Sequence, residues 1–181
     1  MLKFVTRLAS DFKVAAPAAS SSYVVRRVLE AIPARARRVV EYGPGDGVVT
    51  EALLGSLDPE ATLHAVERNS FFVQDLHERL RDPRLTVVHD DALQCAERMI
   101  IDGEPPADAI LTSIPLSLFS AGEVQRFFTS CEALLRPGAP FIVFHQYSPL
   151  VLPALKRQFR SVESAFEPRN FFPCFIFVAR T

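Results

Sequence analysis

Short apolar runs alternate along this chain with longer segments whose apolar residues recur every three or four positions. The short runs are typical of buried strands, and the periodic segments are typical of amphipathic helices. The pattern predicts seven strands, at 38–42, 62–67, 85–89, 109–112, 141–146, 161–166 and 174–179. It predicts helices at 48–56, 70–80, 92–100 and 121–135, between the first five strands, and one more helix at 149–159.

The order of these elements predicts an α/β fold. Strands that alternate with helices through short loops form a parallel sheet with helices on both faces. The last two strands are separated only by residues 167–173, which is too short for a parallel crossover and fits an antiparallel hairpin. We therefore expect a Rossmann-like, mostly parallel, seven-stranded sheet that ends in an antiparallel hairpin.

Two helical segments precede the sheet. The serines at 20–22 are plausible N-cap residues for a helix at 23–31, which Pro33 closes. Residues 2–14 have an apolar side and a polar side, with cations at Lys3, Arg7 and Lys13. These patterns divide the chain into N-terminal helices at 1–33 and a main domain at 34–181.

Composition narrows the class of protein. A chain of 181 residues with 49% hydrophobic residues suits one globular domain. A net charge of −1 argues against nucleic-acid binding through bulk electrostatics. The three cysteines are far apart and odd in number, which favours a reducing compartment. Since no apolar run approaches the ~20 residues of a membrane span, the sequence predicts a cytoplasmic protein.

The segment 39–50, VVEYGPGDGVVT, carries the most specific signal. Its glycines at 43, 45 and 47 do not have the spacing of a dinucleotide fingerprint, and it lacks the Gly-Lys-Ser/Thr ending of a P-loop. A Gly-Pro-Gly turn can simply join a strand to a helix. The pattern E-x-G-x-G-x-G, however, resembles motif I of S-adenosylmethionine (SAM)-dependent methyltransferases, which implies a cofactor beside the turn.

Acidic residues recur where the first three strands end, at Glu41, Glu67, Asp90 and Asp91. Ligands of open parallel sheets bind outside the carboxyl ends of the strands. The resemblance implies that Glu67 accepts from the ribose hydroxyls, that an acid after the third strand accepts from the adenine amino group, and that Glu41 faces the sulfonium or ammonium group. Alternatively, Asp90 or Asp91 caps the helix that follows.

Further segments narrow the resemblance to the branch shared by ribosomal RNA adenine dimethylases and bacterial phospholipid N-methyltransferases. Residues 39–54 resemble their motif I, and HDDAL at 89–93 resembles their acid-Ala motif. The dimethylases carry Asn-Leu-Pro-Tyr after the fourth strand, whereas this chain has Ser-Ile-Pro-Leu at 113–116, similar to the phospholipid enzymes. Segments 144–149, 169–173 and 15–21 also resemble the phospholipid branch.

The resemblance implies a set of site residues. SAM is expected to contact the turn and the strand ends through Glu41, Gly43, Pro44, Gly45, Asp46, Gly47, Glu67, Arg68, Asp90, Asp91, Ala92, Ser113 and Ile114. The acceptor substrate is expected to contact Pro115, Gln146, Arg169 and Asn170. Tyr147 and His145 are candidates for orienting an amine or relaying its proton, and Ser113 for accepting its hydrogens.

Each of these assignments has a structural alternative. His145 can be a hydrogen-bonded strand-end residue, Tyr147 can pack locally, and Arg169 can lie in a solvated turn. The four histidines lack metal-ligand spacing, so no metal is predicted.

The function that this resemblance implies is SAM-dependent N-methylation of a phospholipid or amino-lipid headgroup, with S-adenosylhomocysteine as the product. The segment 2–14 would attach the protein to the inner face of the membrane, since a basic-edged apolar helix can lie in a bilayer interface. The alternatives are methylation of adenine in RNA, methylation of a small amine, and a non-catalytic SAM-binding module. Nucleic acid is not an expected partner.

Overall fold

A seven-stranded sheet with the order β3-β2-β1-β4-β5-β7-β6 organises the protein. The computed structural model describes residues 19–181, except for the side chains of His145 and Gln146. Its strands are β1 (Arg38–Tyr42), β2 (Thr62–Glu67), β3 (Leu85–His89), β4 (Ala109–Thr112), β5 (Pro140–Gln146), β6 (Ser161–Glu167) and β7 (Cys174–Arg180). The first five strands are parallel and the last two form an antiparallel hairpin, which confirms the predicted fold class.

Within residues 19–181, the predicted helices are present, and all but the last agree with the prediction within about one residue at each end. They are α1 (Ser22–Ala31), α2 (Val48–Ser56), α3 (Ser70–Arg79), α4 (Ala92–Ile101), α5 (Ala121–Leu134) and α6 (Leu152–Gln158). Local chemistry fixes several helix starts. Ser120 and Glu123 form a capping box at α5, and the side chain of Asn69 caps α3.

One predicted helix is divided. The pattern predicts a continuous helix at 149–159, but the structure has a short 3₁₀ turn at Pro149–Val151 followed by α6. Pro153 has no N–H to donate to the carbonyl group four residues earlier, so one continuous α-helix would lose a bond there. The tighter 3₁₀ turn accommodates this interruption.

The strands bury both of their faces. Val40 and Ile110 belong to a core cluster with residues of α4, α5 and α6. Val39 and Leu111 belong to a second cluster with residues of α1 and α2. Because successive strand residues point to opposite faces, the continuous apolar runs of the sequence cover both layers.

Helix α1 is joined to the turn between β6 and β7. Ser21 caps the helix, as the predicted serine cluster requires, and its backbone N–H donates to Asn170 Oδ1 at 2.9 Å. The buried carboxylate of Glu167 accepts from Arg27 at 2.7 Å and from Arg169 at 2.8 Å. The guanidinium groups of Arg169 and Arg27 hold the pKa of Glu167 at about 2.

The predicted helix at 2–14 lies outside the described residues. The division of the chain at residue 33 stays a prediction. Within residues 19–181, no helix combines the length and the hydropathy that crossing a bilayer requires.

Candidate active site

The glycine turn after β1 has left-handed backbone at three positions, with φ of 78° at Gly43, 56° at Gly45 and 75° at Gly47. A Cβ atom on Gly43 would lie 2.7 Å from Ile114 Cγ2, and one on Gly47 would lie 2.5 Å from Leu76 Cδ2. A Cβ atom on Gly45 would meet no atom within 4 Å. The outer two glycines therefore permit close packing, and the middle one faces open space.

Glu41 is a buried carboxylate beside this turn. It is 1% exposed, and its Oε2 accepts from Thr50 Oγ1 at 2.7 Å. Its Oε1 has no hydrogen-bond partner among the described residues. Burial raises the pKa of Glu41 to about 7, against the lowering effect of the Thr50 hydroxyl. A buried and half-satisfied carboxylate is a strong binding group for a ligand cation.

Glu67 lies against the same turn. Its carboxylate accepts from the backbone N–H of Gly45 at 3.1 Å and from that of Asn69 at 2.8 Å. Burial raises the pKa of Glu67 above its ordinary value. Each carboxylate oxygen can accept a further hydrogen bond. Glu67 can therefore accept from the hydroxyl groups of a ligand that lies next to the glycine turn.

Asp46 lies within the turn and forms hydrogen bonds that hold the turn itself. Its Oδ1 accepts from Val48 N–H at 3.3 Å, and Arg79 donates to its carbonyl oxygen. Burial raises the pKa of Asp46 as well. Pro44 also stabilises the turn, since its carbonyl oxygen accepts from Gly47 N–H at 2.9 Å.

The two aspartates after β3 have different local roles. Asp91 is the N-cap of α4, where Oδ1 accepts from Leu93 N–H at 3.0 Å. Asp90 accepts from the backbone N–H of Asp91 at 2.7 Å and forms an ion pair with Arg98. The capping alternative therefore holds for Asp91, and a contact of either acid with an adenine ring stays a prediction.

Ser113 and Ile114 join the end of β4 to the glycine turn. Ser113 Oγ donates to the carbonyl oxygen of Gly43 at 2.6 Å, and its backbone N–H donates to Tyr42 O at 3.2 Å. The Ile114 side chain occupies the space beside Gly43. The Ile114 carbonyl already accepts from Leu116 N–H at 2.9 Å, but a carbonyl oxygen can accept two bonds. These residues lie between the cofactor turn and the predicted acceptor side.

Tyr147 follows β5 at the same edge of the sheet. It is 44% exposed, and its ring makes an edge contact with Phe172 at 6.1 Å between centroids. Burial raises the pKa of Tyr147 above its ordinary value. A phenol with a raised pKa is neutral at physiological pH, so the structure favours an orienting role for Tyr147 over a role as a base.

His145 and Gln146 belong to β5 by their backbone. The pairing of β5 with β7 shifts register between Val143 and Gln146. Such irregularities redirect side chains and are common beside active sites. The roles predicted for both residues stay predictions.

Arg169 and Asn170 have structural partners in the hairpin turn. Arg169 binds Glu167, and its guanidinium lies 4.0 Å from the centroid of the Tyr23 ring. Asn170 accepts from Ser21 N–H and donates to Phe172 O at 2.9 Å. Arg169 does lie in an exposed turn, as the structural alternative states, and its side chain is held there by Glu167. Direct substrate contact by these two residues stays a prediction.

The remaining predicted residues occupy the margins of the site. Arg68 is exposed, and its carbonyl oxygen lies 3.1 Å from His89 Nε2. Ala92 is buried as the first residue of α4, and Pro115 precedes a 3₁₀ turn at Leu116–Leu118.

Sequence reasoning did not identify three residues that support the site. Thr50 binds Glu41, Arg79 holds the turn at Asp46, and Asn69 donates its backbone N–H to Glu67. Thr50 had a detectable signal, since it is a hydroxyl on the inner side of the helix that follows the glycines. The partner of Arg79 depends on the packing of α3 against the turn and leaves no local trace in the sequence.

This geometry fits a cationic nucleoside cofactor. The open face at Gly45, the unsatisfied Oε1 of Glu41 and the carboxylate of Glu67 lie around one turn. Gly45 offers an open backbone surface, Glu41 a partner for a cation, and Glu67 an acceptor for hydroxyl groups. The turn follows β1. The sheet continues from β1 through β2 and β3 on one side and through β4 and β5 on the other, so the turn lies at the topological switch point of the sheet.

The comparisons with known proteins agree with this class of site. The family model for ribosomal RNA adenine dimethylase matches residues 19–111. Fold, site and comparisons together define a SAM-dependent methyltransferase with a Rossmann-like fold. The chain belongs to the ribosomal RNA adenine dimethylase family.

Two kinds of relative share different parts of the chain. The chain is 28% identical over 170 residues to an ornithine lipid N-methyltransferase of Singulisphaera acidiphila. The matched region covers 92% of this chain and 88% of the relative. The chain is 38% identical over 90 residues to ribosomal RNA small subunit methyltransferase A of Burkholderia ambifaria. This matched region covers 49% of this chain and 33% of the relative.

Solved structures show the same fold. The N-methyltransferase NodS from Bradyrhizobium japonicum superposes with a TM-score of 0.70 at 14% identity, over 87% of this chain and 93% of that chain. Another structure of NodS contains S-adenosylhomocysteine and gives a TM-score of 0.69 at 14% identity, over 87% of this chain and 85% of that chain.

Proposed function

We propose that this protein transfers a methyl group from SAM to the amine headgroup of a phospholipid or amino-lipid at a membrane surface. One observation carries the proposal. The family model ends at residue 111, before the acceptor side of the site begins, whereas the match to the ornithine lipid N-methyltransferase spans 92% of the chain. Most of the acceptor half is therefore shared with an enzyme whose name specifies a lipid amine.

The segment after β4 supports an amine acceptor that is not a nucleobase. Leu116 stands where the resembling dimethylases have an aromatic residue, and its side chain is buried. It cannot stack on a base, although stacking is a main contact in the recognition of single-stranded RNA. Ser113 stands at the position of the dimethylase amide and lies beside the glycine turn.

The reaction needs a neutral amine in line with the methyl group. Bound SAM supplies an electrophilic methyl group on its sulfonium centre. A protonated amine has no lone pair for attack, so the site must accept one proton from it. We expect Ser113 and Tyr147 to hold the amine through hydrogen bonds, because such positioning removes a large part of the entropic barrier. His145 remains the candidate for receiving the proton.

The decisive experiment is an incubation of the purified protein with methyl-labelled SAM and vesicles. The vesicles contain phosphatidylethanolamine, an ornithine lipid and an anionic lipid, and the lipids are then separated. We expect label in at least one amine lipid. Protein that binds SAM but labels no lipid in this panel would overturn the proposal.

RNA methylation is the second candidate, because the chain belongs to the ribosomal RNA adenine dimethylase family. The net charge of −1 does not favour it, since affinity for nucleic acid comes largely from cations that neutralise phosphates. Parallel incubations with ribosomal RNA and with small amines distinguish these acceptors. Transfer of label to RNA alone would establish the second candidate.

The N-terminal segment gives a separate prediction. We propose that residues 2–14 bind the inner face of the cytoplasmic membrane, as their amphipathic pattern and basic residues suggest. Deleting residues 1–14 should then reduce methylation of vesicle lipid about tenfold, a loss in the range expected from a few surface cations and apolar contacts. Methylation of a detergent-dispersed short-chain lipid should change little. Equal losses on both substrates would contradict a membrane role.

A further inference from the structure

We propose that an apolar rim beside the acceptor opening inserts into the surface of the lipid bilayer. The rim consists of Leu118, Tyr147, Leu150, Phe171 and Phe172. This inference rests on the proposed function and names the partner of the same site. It concerns a surface separate in sequence from the N-terminal segment.

The rim is one continuous surface built from three separate loops. The 3₁₀ turn at Leu116–Leu118 contacts the 3₁₀ turn at Pro149–Val151. The rings of Tyr147 and Phe172 meet at 6.1 Å, and those of Phe171 and Phe172 meet at 4.9 Å.

The side chains of the rim are unusually exposed for apolar residues. Leu150 is 77% exposed and Phe171 is 76% exposed, while Leu118 is 55% exposed. Single exposed apolar residues are common on protein surfaces, but a contiguous group marks an interaction site.

The rim lies at the edge of the sheet that carries the predicted acceptor residues. Gln146, the last residue of β5, pairs with Phe175 at the start of β7, so the hairpin turn and the end of β5 share one edge of the sheet. Ser113 follows β4 at that same edge, beside the glycine turn. A bilayer in contact with the rim would bring headgroups to the opening without extraction of the acyl chains.

The charge pattern favours a lipid surface. Residues 113–122, 145–155 and 168–176 contain no acidic residue, and Arg169 is their only lysine or arginine. In a chain with 23% charged residues, the loops that form the rim and its surroundings are therefore strongly depleted of charge. Phenylalanine, tyrosine and leucine without nearby carboxylates can enter the interface of a bilayer at low cost.

The charge below the rim is positive. Glu167 is fully buried and is shared by Arg27 and Arg169, so two cations face one anion. This cluster retains a net charge of +1, which suits the negative potential of anionic lipids. Apolar insertion and electrostatic attraction therefore act at the same edge of the protein.

The absence of tryptophan from the chain provides a direct test. Three single-tryptophan variants are made in the full chain: Phe171→Trp, Leu150→Trp and Ile101→Trp. Ile101 is the matched control, because it is 80% exposed but lies at the far end of α4, away from the carboxyl edge. Fluorescence is recorded with vesicles of phosphatidylethanolamine and phosphatidylglycerol, with and without brominated acyl chains.

We expect the emission of Phe171→Trp and Leu150→Trp to shift to shorter wavelength with vesicles and to be quenched by the brominated chains. The emission of Ile101→Trp should stay unchanged. If the protein sediments with vesicles but the emission of Leu150→Trp and Phe171→Trp does not shift, the rim is not the membrane contact and the proposal is overturned. A shift that depends on protein concentration without lipid would assign the surface to a second copy of the chain and would also overturn the proposal.

Lipid methylation is measured in the same samples. Insertion of the rim without labelled lipid would contradict the proposed function and leave the membrane contact standing. Labelled lipid without insertion would contradict only the membrane contact.

Discussion

Replacing Gly45 with valine is expected to weaken SAM binding at least ~100-fold while the fold is retained. The Cβ atom at this position meets no protein atom within 4 Å, so the new side chain projects into the space that faces the cofactor turn. Loss of close backbone contact removes several hydrogen-bond and packing interactions at once, and every ~1.4 kcal/mol weakens binding tenfold. Titration calorimetry with SAM measures the effect.

A matched control separates cofactor contact from backbone strain. Gly103 has φ of 70°, and its added Cβ would also meet nothing within 4 Å. Gly103→Val therefore carries a similar left-handed strain of about 1–2 kcal/mol, at a position after α4 and remote from the site. It should lower the melting temperature about as much as Gly45→Val does and leave SAM affinity unchanged. Normal affinity in Gly45→Val would contradict the assignment of the turn.

SAM affinity is expected to rise about tenfold between pH 6 and pH 8 because Glu41 must be ionised to face the cofactor's positive charge. The pKa of Glu41 is about 7 in the protein without cofactor, so much of this carboxyl is protonated at pH 6. Binding of a cation then requires release of that proton, and the observed affinity follows the ionised fraction. Glu41→Gln should bind weakly and show no dependence on pH in this range.

The same carboxyl makes the protein without cofactor less stable as pH rises. The pKa of Glu41 is raised from 4.5 in the unfolded chain to about 7 in the fold, so the unfolded state loses its proton first. Its contribution is fully present below pH 4.5 and decreases by roughly 3 kcal/mol up to pH 7. Glu41→Gln should remove this part of the slope in denaturant titrations at successive pH values.

Thr50→Val provides a second control for the Glu41 predictions. It removes the hydroxyl that favours the ionised form. The rise in SAM affinity should therefore move to higher pH without disappearing. Wild-type affinity that does not change between pH 6 and pH 8 would contradict the role given to Glu41.

Much of the fold could be predicted because its determinants are local. Apolar runs marked the strands, and cap residues such as Ser120 fixed the helix starts. The acids at the strand ends met at one edge because parallel strands place their carboxyl ends together. Glu41 and Glu67 were found for this reason.

The features that could not be predicted from the sequence depend mostly on contacts between distant segments. Pro153 divided a helix whose apolar period continued through it. Contact of Arg169 with the acceptor substrate stays a prediction. Its pairing with Glu167, which Arg27 approaches from a segment about 140 residues away, was not predicted. A pattern of residue types does not specify which opposite charge a long side chain will reach once the layers have packed.

The bond between Ser113 and Gly43 has a thermodynamic consequence. Because Ser113 Oγ binds the Gly43 carbonyl and Ile114 fills the space beside it, the cofactor turn and the segment after β4 form one packed unit. Any ordering of the turn by SAM should also order the segment after β4, which is predicted to contact the methyl acceptor. Such coupling is reciprocal, so each ligand should raise the affinity for the other by the same factor. Its kinetic signature would be that a saturating concentration of either substrate lowers the KM for the other.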